Sequence, residues 1–163
     1  MVKWVVMVLL LVADLLSKHL VFQQINIKDK LEIFPGLYFH LAKNYGLGFG
    51  LAQGWNEWIL VPNILVLLFV FYQFLKKNDS KQAWTFILAG GLANCYDRFY
   101  FGYVRDFILL SWKGLSWPVF NLADIYIFIA FLFLLIEIKS EEAAEQKIKI
   151  HQEGEKSYES NRY

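Results

Sequence analysis

Four long apolar blocks constrain this chain more than any other feature of its sequence. They cover residues 4–22, 58–75, 83–101 and 119–138, and each is 18 to 20 residues long. A helix needs about 20 apolar residues to cross the roughly 30 Å of hydrocarbon in a bilayer. The blocks hold nearly half of the 163 residues, which excludes a soluble globular protein and a disordered chain. We therefore predict an all-α membrane protein with four transmembrane helices.

The remaining composition excludes several classes of function. The net charge is +1, so no excess of basic residues favours nucleic-acid binding. The single cysteine, Cys95, cannot form a disulfide within the chain. One cysteine and three scattered histidines do not make a zinc site either.

The segments between the blocks predict the orientation and the domain boundaries. Lys76, Lys77 and Lys81 crowd one short connection, and lysine-rich short loops favour the cytoplasmic side. Both termini are then cytoplasmic. We predict a single four-helix domain over residues 1–138 and a charged, flexible cytoplasmic tail over residues 139–163, which is either a frayed helix or disordered.

The connections on the other side have the pattern of short strands. Within the long loop 26–57, two apolar runs flank Pro35 and Gly36, which is typical of strands joined by a turn. Residues 103–110 form a further strand-like run. We expect a small extracytoplasmic β-sheet that lies on the outer membrane surface.

Ionisable residues inside spans are costly and are candidates for function. Asp14 and Lys18 are four residues apart in the first span, where they share one helical face and can pair. The pair either fixes the packing of this helix or takes part in a site.

The same four-residue pattern occurs in the third and fourth spans, as Asn94 with Asp97 and as Asn121 with Asp124. Each asparagine can donate to its own or to the facing carboxylate. The predicted topology brings both aspartates to one depth near the outer surface. Two close carboxylates can share one proton and act as acid and base on a water molecule. The alternative is structural: Asp124 caps its helix and Asp97 pairs with Arg98.

Five motifs in order resemble those of lipoprotein signal peptidase, also called signal peptidase II. They are Asp14-Leu-Leu-Ser-Lys18, Asn44-Tyr-Gly-Leu-Gly-Phe49, Gly90-Gly-Leu-Ala-Asn94-Cys-Tyr-Asp97-Arg98, Val104-Arg-Asp106-Phe107 and Pro118-Val-Phe-Asn121-Leu-Ala-Asp124. The resemblance implies a metal-independent aspartic endopeptidase of the bacterial inner membrane, with its active site toward the outer leaflet and with no organic cofactor. Such an enzyme removes signal peptides from prolipoproteins by cleaving before the diacylglyceryl-modified cysteine.

The resemblance also implies which residues form the site. By motif match, Asp97 and Asp124 are the catalytic pair. The supporting and substrate-binding residues are Asp14, Lys18, Asn44, Gly46, Asn94, Arg98, Asp106 and Asn121. The partners are diacylglyceryl-modified prolipoproteins and membrane lipids, without nucleic acid, and the chain is expected to be a monomer.

Two other classes of function remain open at this stage. A small proton-coupled transporter also places Asp, Asn and Lys inside spans, but it needs polar residues through the whole membrane thickness. The second block and the inner half of the third are nearly free of such residues. A non-catalytic membrane assembly factor would use glycines and aromatic residues and would not need paired aspartates.

Overall fold

The structure of the chain is a computed structural model that describes residues 1–26, 29–46, 56–76 and 81–160. The helices are α1 (Val2–Gln24), α2 (Asn56–Leu75), α3 (Lys81–Phe101) and α4 (Leu122–Ser160). The strands are β1 (Lys30–Phe34), β2 (Leu37–Asn44), β3 (Val104–Trp112) and β4 (Leu115–Ser116). The protein is thus mostly helical, with a small antiparallel sheet.

Each predicted span lies within a helix, except at the start of the fourth. The fourth span was expected from residue 119, whereas α4 begins at Leu122 because Phe120 pairs with Ile108 in an isolated β-bridge. Among the described residues, α1 is the helix that is both long and apolar enough to cross a membrane, with a mean hydropathy of 2.2. The apolar stretch Val61–Leu75 of α2 is shorter, so four crossings stay a prediction.

Helix α3 lies at the centre and packs against α1, α2 and α4. Its two adjacent glycines allow this close packing. A Cβ atom on Gly90 would lie 2.6 Å from the carbonyl oxygen of Ala123 in α4. On Gly91, it would lie 2.7 Å from Cδ2 of Leu67 in α2. Small residues at helix contacts let backbones approach, and here they bring the start of α4 against α3.

The sheet has the strand order β1-β2-β3-β4, with antiparallel neighbours. The two strands expected around Pro35 and Gly36 are confirmed, and Gly36 has a φ of 88° at the turn. Strand β3 confirms the third predicted run and pairs along most of β2. It follows α3 directly, so the sheet is joined to the helices where the predicted polar residues lie.

The first part of the predicted tail is helical, in line with the frayed helix that was one of its two predicted forms. Helix α4 continues through Ser160, so residue 138 is not the end of a structural element. The side chains of residues 139–151 are all exposed. This part of α4 therefore extends away from the packed helices as a single helix.

Candidate active site

The site begins with an ion pair in α1. The Nζ atom of Lys18 lies 2.7 Å from Oδ2 of Asp14, and both side chains are fully buried, which confirms the predicted pair. The other oxygen of Asp14 accepts a hydrogen bond from the backbone N–H of Ala123 at 2.8 Å. Lys18 also donates to Oδ1 of Asn94 at 2.9 Å. The pair thus connects α1 to the first turn of α4 and to α3.

Asp97 lies between two buried cations. Its Oδ1 atom accepts from Nη2 of Arg105 at 2.7 Å and from Nε at 3.2 Å. Its Oδ2 atom accepts from the backbone N–H of Arg105 at 3.0 Å and lies 3.4 Å from Nζ of Lys18. Two cations within ion-pair distance stabilise the ionised carboxylate. Both oxygens of Asp97 are therefore occupied by Arg105 and Lys18, an arrangement that favours a structural role over the predicted catalytic one.

The alternative expectation for Asp97, a pair with Arg98, also differs from the structure. Arg98 instead donates from Nη2 to the backbone carbonyl oxygen of Gly46 at 2.9 Å. The partner that sequence reasoning missed is Arg105. Its signal was a basic residue beside Asp106 in the strand-like run 103–110, since adjacent side chains of a strand point to opposite faces and therefore need separate partners.

Asp106 has a different environment, although it is as deeply buried as Asp97. Its Oδ2 atom accepts from Nδ2 of Asn44 at 2.9 Å, and its Oδ1 atom accepts from Nδ2 of Asn121 at 2.6 Å. Both donors are neutral amides. Burial and the nearby negative charge of Asp124 raise the pKa of Asp106 to about 7.

Asp124 lies in the first turn of α4 and faces the same polar cluster. Its Oδ2 atom accepts from the backbone N–H of Asn121 at 3.1 Å, and its own N–H donates to Oδ1 of Asn121 at 3.1 Å. This reciprocal arrangement caps the helix, as the structural alternative expected. The other oxygen, Oδ1, accepts from Nδ2 of Asn94 at 3.0 Å, so Asp124 also takes part in contacts with α3.

Asn121 joins the two carboxyl groups. Its side-chain amide donates to Asp106, and its backbone amide donates to Asp124. The same side chain donates to Oδ1 of Asn94 at 3.2 Å. The carboxyl group that shares hydrogen-bonding partners with Asp124 is therefore that of Asp106, with no cation bound to it by an ion pair among the described residues.

The structure brings the other predicted site residues to the same cluster. Gly46 donates its N–H to Oδ1 of Asn44 at 3.0 Å, which orients the Asn44 amide toward Asp106. The rest of the Asn44–Phe49 motif, residues 47–49, lies outside the described residues. In the described part of the chain, no group of three His, Cys, Asp or Glu side chains is arranged to hold a metal ion.

Comparison with known proteins identifies the family. The model of a family described as signal peptidase (SPase) II matches residues 6–139, which include every site residue above. The chain belongs to the signal peptidase II family. A lipoprotein signal peptidase of Haemophilus influenzae is 34% identical over 154 residues, which cover 89% of this chain and 90% of that protein. One from Wigglesworthia glossinidia brevipalpis is 36% identical over 132 residues, or 77% of this chain and 86% of that protein.

Solved structures agree with the membership of the signal peptidase II family. A bacterial membrane enzyme determined by the in meso method at 2.3 Å resolution has a TM-score of 0.79 and 27% identity, over 86% of this chain and 89% of that one. A second, at 1.9 Å resolution, has a TM-score of 0.74 and 27% identity, over 84% and 92%. The arrangement of helices and sheet is therefore that of a bacterial membrane enzyme.

Proposed function

We propose that this chain is an intramembrane aspartic endopeptidase that removes signal peptides from bacterial prolipoproteins by cleaving before the diacylglyceryl-modified cysteine. Its membership of the signal peptidase II family and its lipoprotein signal peptidase relatives support the substrate class. One observation carries the proposed chemistry. Two carboxyl groups from separate elements, Asp106 and Asp124, share the same hydrogen-bonding asparagine in a buried site.

The proposed catalytic pair is Asp106 with Asp124, in place of the Asp97 that the motif match suggested. General acid–base catalysis needs a group that changes its protonation near the working pH. The pKa of Asp106, raised to about 7, meets that need. Both oxygens of Asp97 are instead in contact with Arg105 or Lys18.

The mechanism we infer uses one proton shared between the two carboxyl groups. The ionised member, Asp124 at the start of α4, takes a proton from a water molecule, whose oxygen attacks the scissile carbonyl carbon. The protonated member, Asp106, donates to the developing oxyanion. When the tetrahedral intermediate collapses, the C–N bond breaks and Asp124 gives its proton to the leaving amine of the cysteine. One hydroxyl of the intermediate returns its proton to Asp106, so the new carboxyl group forms and the pair is ready for another cycle. No metal ion takes part in these steps.

The surrounding residues keep the two carboxyl groups in place. Asn44 and Asn121 donate to Asp106, and Asn94 donates to Asp124. Lys18 binds the carbonyl oxygen of the Asn94 side chain, so the amide nitrogen must face Asp124. In our proposal these residues, with Asp14, are supporting groups that do not exchange protons with substrate.

In our proposal, Arg98 and Gly46 lie beside the bound substrate. The contact of Arg98 with the Gly46 carbonyl joins the outer end of α3 to the end of β2. An extended peptide that approaches the catalytic pair Asp106 and Asp124, the dyad, would run beside this backbone. The glycine leaves room for it because it has no side chain.

The membrane arrangement is part of the proposal. Helices α1 to α4 cross the inner membrane, both termini are cytoplasmic, and the dyad is toward the outer leaflet. The sheet lies on the outer surface, and the exposed Trp112, Leu115 and Trp117 at its β3–β4 end suit the headgroup layer. The peptidase domain is 1–138, the exposed end of α4 is a cytoplasmic tail, and the enzyme acts as a monomer on substrates held by their lipid chains.

The competing functions fit these contacts less well. A proton-coupled transporter needs titratable groups along a continuous path, whereas α1, α2 and α3 enclose an apolar cluster on the side of Met7 and Phe74. A non-catalytic assembly factor would not require Asp106 to be buried beside a second carboxylate.

The function is tested with purified protein in detergent and a diacylglyceryl-modified prolipoprotein, with cleavage read by mass spectrometry. The native chain should release the signal peptide just before the lipidated cysteine. Asp124→Asn should abolish release while the protein remains folded, because an amide cannot accept the proton. Cleavage at another bond, or full turnover by Asp124→Asn, would contradict the proposal.

A further inference from the structure

Arg105 is unusual because its guanidinium group is buried beside the site and has no place in the proposed chemistry. The residue is 6% exposed, whereas arginine is rarely buried unless it is paired. Its pair is Asp97, and its guanidinium carbon lies 4.2 Å from the ring centroid of Phe101. Both contacts belong to the outer end of α3.

The contact between Arg105 and Asp97 involves the backbone as well as the side chain. One carboxylate oxygen receives two guanidinium N–H groups, and the other receives the backbone N–H of the same arginine. Because a single carboxylate binds Arg105 at both positions, the second residue of β3 has a fixed place and a fixed orientation on α3. The planar guanidinium group, stacked on Phe101, suits this geometry better than an ammonium group would.

Fixing Arg105 determines where the next side chain points. Successive side chains in a strand point to opposite faces, so Asp106 faces away from Asp97. Just beyond Asp106, the N–H groups of Phe107 and Ile108 both donate to the carbonyl oxygen of Phe120, at 3.0 and 2.8 Å. The strand is therefore attached to α3 immediately before Asp106 and to the segment leading into α4 immediately after it.

We infer that Arg105 is a positioning residue for catalysis: its two-point contact with Asp97 holds Asp106 at the distance from Asp124 that the dyad requires. The inference rests on the proposed function, since it concerns the geometry of that dyad. It also gives Asp97 a role, which is to orient β3 through Arg105 without exchanging protons with substrate.

The test measures kcat and KM per folded molecule for Arg105→Met and Arg105→Lys. We expect Arg105→Met to lower kcat about 10- to 100-fold with KM nearly unchanged, because a misplacement of about 1 Å can cost about 100-fold in rate. Arg105→Lys keeps the charge but not the two-point contact, so it should restore only part of kcat. Lys43 is the matched control, because it is an exposed cation on β2 that lies directly opposite Arg105 in the register of the sheet. Lys43→Met should keep the native kcat.

A double variant separates position from charge. Arg105→Met with Asp97→Asn removes both members of the pair, so no buried charge is left without a partner. We expect its thermal stability to recover relative to Arg105→Met while kcat stays low. Native kcat in folded Arg105→Met, or full recovery of kcat in the double variant, would overturn the inference. If Arg105→Met does not fold, native kcat in Arg105→Lys overturns it and reduced kcat supports it.

One further variant distinguishes failure of this inference from failure of the proposed function. Asp106→Asn, assayed in parallel, should have no detectable turnover. Turnover by Asp106→Asn would show that Asp106 and Asp124 are not the catalytic pair. Arg105 would then have no dyad to position. If Asp106→Asn is inactive and Arg105→Met is fully active, the dyad stands and only the role of Arg105 is wrong.

Discussion

Replacing Asp106 with asparagine should inactivate the protein and stabilise it at the same time. Its carboxyl group has a pKa of about 7 in the folded chain, above its ordinary value of 3.8. Between these two values the folded state holds a proton that the unfolded state has lost. Stability therefore falls as the pH rises from about 4 to about 7, and the full cost is present above pH 7. The difference corresponds to about 4 kcal/mol.

An asparagine at position 106 avoids this cost but loses a hydrogen bond. Its new NH2 group must face one of the amides that now donate to Asp106, those of Asn44 and Asn121. Two N–H donors that face each other without an acceptor cost about 1–3 kcal/mol. The net gain at pH 8 is about 1–3 kcal/mol, which is a rise of about 2–12 °C in Tm for a chain of this length. At pH 5 only about 1–2 kcal/mol of the cost is present, because this pH is not far above the ordinary pKa of 3.8, and the lost hydrogen bond cancels the gain.

Asp97→Asn is the matched control, since it makes the same chemical change at an equally buried carboxylate. It leaves Arg105 and Lys18 without their shared counter-ion, so it should destabilise by about 3–5 kcal/mol at both pH values. The assay is thermal unfolding in detergent, followed by tryptophan fluorescence at pH 5 and pH 8. A lower Tm for Asp106→Asn at pH 8 would refute the raised pKa of Asp106. So would a change in Tm on this substitution that is the same at pH 5 and pH 8.

Three other outcomes follow from the same contacts. Gly90→Ala should lower turnover at least about 10-fold, because the new Cβ would press on the backbone carbonyl of Ala123. Gly91→Ala is its control and should keep turnover within about twofold, since it meets only the flexible end of Leu67; equal rates for the two variants would show that the position of α4 does not matter. Removing residues 140–163 should leave cleavage in detergent unchanged, since the side chains described there, at 140–151, are all exposed. A loss of turnover would give this end of α4 a role in the reaction. A chelator such as EDTA should not slow cleavage, whereas inhibition reversed by added metal would contradict a metal-free dyad.

The sequence predicts the elements of this fold well because hydrophobic period and turn residues are local signals. The four apolar blocks became helices, and the strands around Pro35 and Gly36 follow from a glycine that adopts positive φ. The contact between Asp14 and Lys18 is equally local, since a four-residue spacing brings two side chains onto one helical face.

Local signals of this kind could not show whether Asp97 or Asp106 lies with Asp124. Asp97 and Asp106 both come near the C-terminal end of α3, and position along a helix says nothing about lateral contacts between elements. Strand alternation places Arg105 and Asp106 on opposite faces but does not say which of the two faces α4. That depends on the pairing of β3 with β2 and on the bridge from Ile108 to Phe120, which are contacts between distant parts of the sequence.

The most direct test of the dyad is the single-turnover cleavage rate of Asp97→Asn and Asp106→Asn, each normalised to its folded fraction. A residue that carries the reaction's proton contributes about 10²–10⁴-fold or more to the rate. We predict that Asp106→Asn loses at least about 1,000-fold, while folded Asp97→Asn stays within about 100-fold of the native chain. Full loss with Asp97→Asn and near-native turnover with Asp106→Asn would contradict the account and restore Asp97 as the partner of Asp124.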